Sequence, residues 1–164
     1  MHQKENDKNN GPFARLAHVS VVVDDIEKAV HYYESLGVGP FAPPSNHEFS
    51  AGFYLEKPLN SKLTIREADI GGITLQLVEH LEGDCVAKDY LDRKGTGVYH
   101  LGFKVDSVDY AERTLIESGV GVLQKGRRMD NSGYTYFDTE AQAGVTLEIK
   151  QVPEKDEDRE SKGA

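Results

Sequence analysis

Hydrophobic residues along the chain follow two patterns in turn, one typical of strands and one typical of helices. Runs such as HVSVVV and HLGFKV have the apolar character of buried strands. After each run, apolar residues recur at helical spacing until a glycine, Gly37 or Gly119, ends the segment. Asp24 and Asp106 stand before these segments and are predicted to be the helix N-caps. The order strand, helix, stop therefore occurs twice.

The two occurrences belong to an internal repeat. HVSVVVDDIEKAVHYYESLGVGP, from His18, aligns without a gap with HLGFKVDSVDYAERTLIESGVGV, from His100, and 7 of the 23 positions are identical. A second match joins GGITLQLV, from Gly71, to AGVTLEIK, from Ala143. Strand-like segments lie between these matches, AGFYLEK and LTIREADI in the first copy and GVGVLQK and YTYFDTE in the second. Each copy is therefore predicted to be a βαβββ module.

The predicted fold class is α+β, because one such module has too few helices to cover both faces of its sheet. We expect the two tandem βαβββ modules to pair about a pseudo-twofold axis into one curved mixed sheet around a cleft, where function should be sought. The ends of the chain are too polar to offset the entropy of ordering. The predicted organisation is a disordered tail at 1–11, a single domain at 12–153 with modules 16–80 and 98–152 joined by a helix at about 86–94, and a disordered tail at 154–164.

Composition narrows the classes of function. The 164 residues carry a formal net charge of −9, which argues against binding to nucleic acid or to anionic membranes. No apolar run approaches the roughly 18 residues that a membrane span needs, and the polar N-terminus has no signal-peptide pattern. The single cysteine, Cys85, fits a reducing compartment and is expected to be inert. We therefore predict a cytoplasmic protein.

Four repeat-related positions carry groups that can bind a metal ion. His18 and His100 open the first strands of the two copies, and Gln76 and Glu148 stand at matching positions in the last strands. The repeat predicts that all four converge if the cleft lies on the axis. Two imidazoles, an amide oxygen and a carboxylate suit a divalent ion such as Zn, Co, Mn, Ni or Fe. The alternative is that the histidines are hydrogen-bonded core residues and that Glu148 lies at a sheet edge.

At these residues the sequence resembles a known superfamily. The paired modules, the segment HVSVVVDDIEKAVHYYESLGVGPF and the later GTGVYHLGFKVDSVD are similar to vicinal oxygen chelate proteins. That superfamily includes glyoxalase I, extradiol dioxygenases, fosfomycin and bleomycin resistance proteins and methylmalonyl-CoA epimerase, and the likeness is greatest to the epimerases. It covers nearly all of 16–152 and implies a glyoxalase-like fold. The metal ligands that it implies are His18, Gln76, His100 and Glu148.

The resemblance also implies a function. We expect a metal-dependent epimerase or isomerase that removes a proton α to a carbonyl and stabilises the enolate, with a methylmalonyl-CoA-like thioester as its specific substrate. A glyoxalase I-like lyase and a metal-free small-molecule binding or resistance protein are the alternatives. The expected partners are a small molecule such as a CoA thioester and a second copy of the chain in a homodimer, with no nucleic acid and no membrane.

Counting residues back from the turn of a predicted hairpin identifies a second candidate for a catalytic carboxylate. If the glycines of ADIGG form a two-residue turn, Glu67 lies opposite Gln76 and points into the cleft. The equivalent count in the second copy puts Tyr136 at the position that matches Glu67. We therefore expect Glu67 and Glu148 to act as catalytic carboxylates and Tyr136 as a hydrogen-bond donor or proton shuttle. A solvated Glu67 and a packing Tyr136 are the alternative.

Two further features carry weaker expectations. Tyr99 directly precedes His100, so strand alternation predicts that it faces away from the cleft and has a packing role. Lys125, Arg127 and Arg128 form a compact basic cluster. This cluster either binds a phosphate-bearing substrate such as a CoA ester or belongs to a solvated loop.

Overall fold

The structure is a computed structural model that describes residues 11–46 and 49–154. Apart from their innermost residues, the tails predicted at 1–11 and 154–164 lie outside this part of the chain. Apart from a short fourth helix and the division of the segment AGFYLEK into two strands, the order of helices and strands follows the sequence patterns. They are β1 (Leu16–Val23), α1 (Ile26–Ser35), β2 (Ala51–Tyr54), β3 (Lys57–Pro58), β4 (Lys62–Asp69), β5 (Thr74–Glu82), α2 (Val86–Lys94), β6 (Gly97–Lys104), α3 (Val108–Glu117), β7 (Val122–Arg127), β8 (Gly133–Phe137), α4 (Glu140–Ala143) and β9 (Thr146–Gln151).

All strands belong to one nine-stranded sheet in the order β3-β2-β7-β8-β9-β6-β1-β5-β4. The first strand of each half runs parallel to the last strand of the same half, β1 beside β5 and β6 beside β9. The two first strands, β1 and β6, meet antiparallel at the centre of the sheet, as a twofold relation between the halves requires. The predicted α+β class and the curved mixed sheet are thereby confirmed.

The strand β2 departs from the predicted module. Its sequence alternates as a strand does, but it pairs with β7 of the second half instead of with β4 of its own half. The place beside β4 is taken by an irregular segment in which Ala42 N donates to Glu67 O at 2.8 Å and Ser45 bridges to Ile65. The sequence FAPPS occupies that segment, and its prolines have no N–H to donate to a ladder. The chain therefore extends the far edge of the sheet.

The helix ends follow the predicted signals with one correction. Asp24 and Asp106 are not the N-caps, because each cap lies one residue later. Asp25 accepts a hydrogen bond from Lys28 N at 3.0 Å, and Ser107 accepts one from Tyr110 N at 3.2 Å. Asp and Ser are both favoured caps, so a DD or DS pair does not show which member begins the helix.

Three apolar clusters hold the layers together. One lies under α1 and includes Val30 and Leu77, and its counterpart under α3 includes Val108 and Ile149. The third packs α2 against the central strands and extends to Tyr99. Full burial of one such aliphatic side chain contributes about 1.5–3 kcal/mol. Within the described part of the chain, the helices are too short or too polar to cross a lipid bilayer.

Candidate metal centre and cleft

A row of paired residues crosses the middle of the sheet and supplies most of the candidate site. His18 on β1 lies beside Gly102 on β6. Gly102 lies beside Glu148 on β9, and Glu148 lies beside Tyr136 on β8. The row therefore brings residues from both ends of the chain to one place on the sheet.

A second row runs parallel to the first, two residues further along the strands. It contains Glu67 on β4, Gln76 on β5, Ser20 on β1 and His100 on β6. The pairing of Glu67 with Gln76 is the one that the two-glycine turn predicts, and it is confirmed. Residues two apart in a strand share a face, so both rows point to the same side of the sheet.

Gly102 gives the ring of His18 room to cross the strand β6. A Cβ atom built at Gly102 would collide with several atoms of the His18 imidazole. The ring therefore occupies the space that any other residue's side chain would fill. Sequence analysis missed this residue. The signal that could have found it is a glycine inside a predicted strand, which often marks a close approach.

The two imidazoles and the Glu148 carboxylate converge on one point. The Nε2 atoms of His18 and His100 are 2.8 Å apart. Glu148 Oε2 lies 3.2 Å from the Nε2 of His18 and 2.5 Å from that of His100. All three residues are buried, with at most 4% of their surface exposed. The structure thus brings together three of the four predicted ligands, and their roles stay predictions.

Burial sets the charge of this group. Desolvation lowers the pKa of His100 in spite of the nearby carboxylate, which favours the neutral form of the ring. Burial alone would raise the pKa of Glu148, but its contacts with the two imidazoles hold that pKa below its usual range. A neutral imidazole and an ionised carboxylate are the forms that bind divalent cations.

The donor set fits a metal ion. Nitrogen and oxygen ligands bind ions such as zinc at about 2.0–2.2 Å, which puts neighbouring donors about 3 Å apart, close to the distances found here. One feature differs from common metal sites. Within the described residues, the Nδ1 atoms of His18 and His100 are buried without a hydrogen-bond partner. The outer contacts that usually fix the tautomer of a metal-binding imidazole are therefore not made.

Gln76, the fourth predicted ligand, faces the same cavity and is only 9% exposed. Its amide is held at both ends. Oε1 accepts a hydrogen bond from Ser20 Oγ at 2.9 Å, and Nε2 donates to Glu67 Oε1 at 2.9 Å. Its hydrogen bonds therefore go to these neighbours in its own row, not to the imidazoles.

Glu67 reaches the site only through Gln76. Glu67 lines a separate shallow hollow together with Phe41 and Ala42 and is not among the described residues that line the main cavity. The predicted register is correct, and the expectation that Glu67 points into the cleft stays a prediction. The side chain lies beyond Gln76, close to the outer end of the row.

The cleft is a cavity of about 530 Å³ with an aromatic wall and basic residues. Tyr99, Tyr134 and Tyr136 form part of the wall, and the rings of Tyr134 and Tyr136 lie 4.9 Å apart. The predicted basic cluster is divided. Arg128 lines the cavity, whereas Lys125 and Arg127 bind Glu112 of α3.

Tyr99 lies in the cleft, so the prediction that it faces away is wrong. The pairing of β1 with β6 shifts register between Ser20 and Val21, whose partners are His100 and Val98. Tyr99 is the extra residue of this β-bulge, and a bulge redirects a side chain that alternation would place on the other face. The centroid of its ring lies 4.5 Å from that of His100 and 6.5 Å from that of Tyr136. Burial raises the pKa of Tyr136 well above its usual value, so this phenol is neutral and can donate a proton.

Known proteins similar to this chain include several epimerases. The mitochondrial methylmalonyl-CoA epimerase of Bos taurus is 27% identical over 144 residues, which cover 84% of this chain and 74% of that protein. The methylmalonyl-CoA epimerase structure from Mycobacterium tuberculosis has a TM-score of 0.68 at 21% identity and covers 90% of this chain and 94% of that one.

A variant of the Streptomyces coelicolor methylmalonyl-CoA epimerase, in complex with 2-nitronate-propionyl-CoA, gives a TM-score of 0.64 at 22% identity over 85% of this chain and 95% of that one. At such identities the two solved structures establish the fold alone. A family model described as Glyoxalase/Bleomycin resistance protein/Dioxygenase superfamily matches residues 17–137. The chain therefore belongs to the Glyoxalase/Bleomycin resistance protein/Dioxygenase superfamily.

Proposed function

We propose that this protein is a metal-dependent epimerase that removes a proton α to the carbonyl of a CoA thioester such as methylmalonyl-CoA. The observation that carries the proposal is the convergence of His18, His100 and Glu148 beside a cavity that is lined by His18, Gln76 and Glu148. These four residues would hold a divalent ion of the Zn, Co, Mn, Ni or Fe group. Such an ion would supply Lewis-acid stabilisation of the negative charge that develops on the carbonyl oxygen.

The chain's own residues supply the proton transfers. Epimerisation breaks the C2–H bond on one face, leaves the electron pair in an enolate, and returns a proton to the opposite face. Glu148 and Glu67 are the proposed carboxylates for the two faces. Glu67 would have to displace the amide of Gln76, to which it is now bonded at 2.9 Å, before it reaches a substrate. The neutral phenol of Tyr136 is the proposed hydrogen-bond donor or shuttle.

The lining of the cavity favours an anionic substrate. Lys62, Arg128 and Lys150 contribute to it, whereas Glu148 is the one acidic residue among its described lining residues. This local excess of positive charge contrasts with the net charge of −9 for the whole chain. Phosphates and a carboxylate are the groups that such side chains bind. Solved epimerases with similar folds hold 2-nitronate-propionyl-CoA or methylmalonyl-CoA.

Hydrogen exchange at C2 tests the reaction. Methylmalonyl-CoA is incubated in heavy water with the protein loaded with Co²⁺, Mn²⁺ or Zn²⁺, and incorporation of deuterium is followed by mass spectrometry. We expect exchange with the loaded protein and none after chelation. Glu67→Gln should slow exchange by about 10²- to 10⁴-fold, the usual contribution of a general base, while metal binding is retained. If the protein did not exchange the C2 hydrogen but did turn over a glutathione hemithioacetal, the proposed function would change from epimerase to lyase.

The metal site is tested separately. We expect close to one divalent ion per chain, measured by elemental analysis after purification without chelators. His100→Ala and Glu148→Ala should each lower both occupancy and activity, because each removes a converging donor. A wild-type protein that neither retains nor rebinds a metal ion would refute the metal site. The metal-free small-molecule binding protein would then be the remaining interpretation.

A further inference from the structure

A buried hydroxyl group holds one end of the Gln76 amide. Ser20 Oγ donates to Gln76 Oε1 at 2.9 Å, and Gln76 Nε2 donates to Glu67 Oε1 at 2.9 Å. Ser20 is fully buried and Gln76 is 9% exposed, so water has little access to the bond between them.

These two hydrogen bonds show which end of the amide faces which neighbour. The nitrogen donates to a carboxylate oxygen of Glu67, so the oxygen of the same amide faces Ser20. Ser20 has one proton, which it gives to that oxygen.

Comparison of the two copies shows that the hydroxyl of Ser20 has no counterpart in the second half. Ser20 and Gly102 are matching positions of the two copies, and they lie beside the matching residues Gln76 and Glu148. In the second half, the glycine leaves room for the His18 ring, and Glu148 contacts the imidazoles. In the first half, a hydroxyl stands at that position and holds the amide.

We propose that Ser20 is a positioning residue that holds the Gln76 amide with its oxygen, not its nitrogen, on the side of the cleft. An amide oxygen has two lone pairs, so it can accept from Ser20 and still offer the second pair to a cation. A flipped amide would turn two N–H donors towards that cation. Ordering the side chain in advance also removes part of the cost of binding. The inference rests on the metal site proposed above, but its first test does not.

The first test uses the metal-free protein. Exchange of the Gln76 side-chain amide protons with solvent is measured by NMR. We expect Ser20→Ala to accelerate exchange by about tenfold, because one end of the amide is released, and Ser20→Thr, which keeps a hydroxyl, to restore slow exchange. Thr135→Val is the matched control. It removes a buried hydroxyl that lies away from the cleft and donates to Glu112 Oε2 at 2.6 Å. Unchanged exchange in Ser20→Ala would overturn the proposal.

The second test is metal affinity, measured by equilibrium dialysis with Co²⁺. Loss of an outer contact to a ligand typically weakens binding about 10- to 100-fold, so we expect a loss in this range for Ser20→Ala. In a Gln76→Ala background, Ser20→Ala should not weaken Co²⁺ binding further, because the amide that Ser20 contacts is already absent. Additive losses would contradict the proposal. A wild-type protein without metal affinity would instead refute the proposed function, and the exchange experiment would still decide the role of Ser20.

Discussion

At the scale of single residues, the candidate site depends on Gly102, because this residue has no side chain. Gly102 stands in the middle of β6 with ordinary strand neighbours on both sides. The ring of His18 lies over it and thereby reaches His100 and Glu148 on the far side. The space beside the candidate ligands therefore matters as much as the candidate ligands themselves.

Gly102→Ala should therefore disrupt the centre without removing a donor. The added Cβ overlaps the His18 ring, which must leave its position or push the strands apart. We expect metal affinity to fall at least tenfold and stability to fall by about 1–3 kcal/mol, the usual cost of overpacking. Dialysis and thermal unfolding measure the two effects. In the control Gly121→Ala, the new atom meets Asp138 at an ordinary 3.6 Å, and both quantities should stay at the wild-type level.

What the sequence reveals at this scale follows from symmetry. The repeat matches His18 with His100 and Gln76 with Glu148 and so predicts that they converge, and the two-glycine turn predicts that Glu67 pairs with Gln76. Tyr99 could not be placed, because a one-residue bulge reverses the alternation on which the prediction depends. Its position depends on how β1 and β6 pair, which a sequence pattern does not encode.

At the scale of elements, α3 is attached to the outer side of the sheet by a buried ionic cluster. Glu112 is 8% exposed and bonds to Lys125 Nζ at 3.0 Å, Arg127 Nη2 at 2.6 Å and Thr135 Oγ1 at 2.6 Å. Burial alone would raise the pKa of Glu112, but its hydrogen bonds to Thr135 and Lys125 and the charge of Arg127 lower it. The cluster therefore joins the helix to β7 and β8 through an ionised carboxylate.

Glu112→Gln should loosen this attachment. We expect a loss of about 3 kcal/mol at pH 7, measured by urea unfolding, because the partly buried Arg127 and Lys125 lose a buried carboxylate partner. The folded-state pKa of Glu112 lies below its unfolded value of about 4.5, so the carboxylate stabilises the fold above that pH. The difference between wild type and variant should shrink as the pH falls below 4.5. Glu117→Gln, at an exposed position of the same helix, should change stability by less than about 0.5 kcal/mol.

The elements themselves are largely predictable, but their partners are not. Apolar periodicity and terminal glycines predict α1, α3 and the linking helix α2 from local sequence. Alternation identifies β2 as a strand in the same way. It cannot show that β2 pairs with β7, because that choice depends on which sheet edge the chain can reach after its Pro-Pro segment.

At the scale of the whole molecule, each half completes the other. The central pair of the sheet joins β1 of the first half to β6 of the second, and β2 extends the second half at its outer edge. The candidate centre is divided in the same way, since His18 and Gln76 come from the first half and His100 and Glu148 from the second. The homodimer and the cytoplasmic location expected from the sequence stay predictions.

The halves should therefore not fold alone. A fragment of residues 1–95 leaves one edge of β1 and the whole hairpin β2–β3 without a partner strand, and such open edges favour association over a stable monomer. We expect the fragments 1–95 and 96–164 each to lack cooperative unfolding by circular dichroism and to bind Co²⁺ weakly. Mixed, they should regain both properties, because only the mixture brings the histidines to one point. A monomeric 1–95 fragment with a cooperative unfolding transition, shown by sedimentation and urea titration, would mean that the first half has a core of its own.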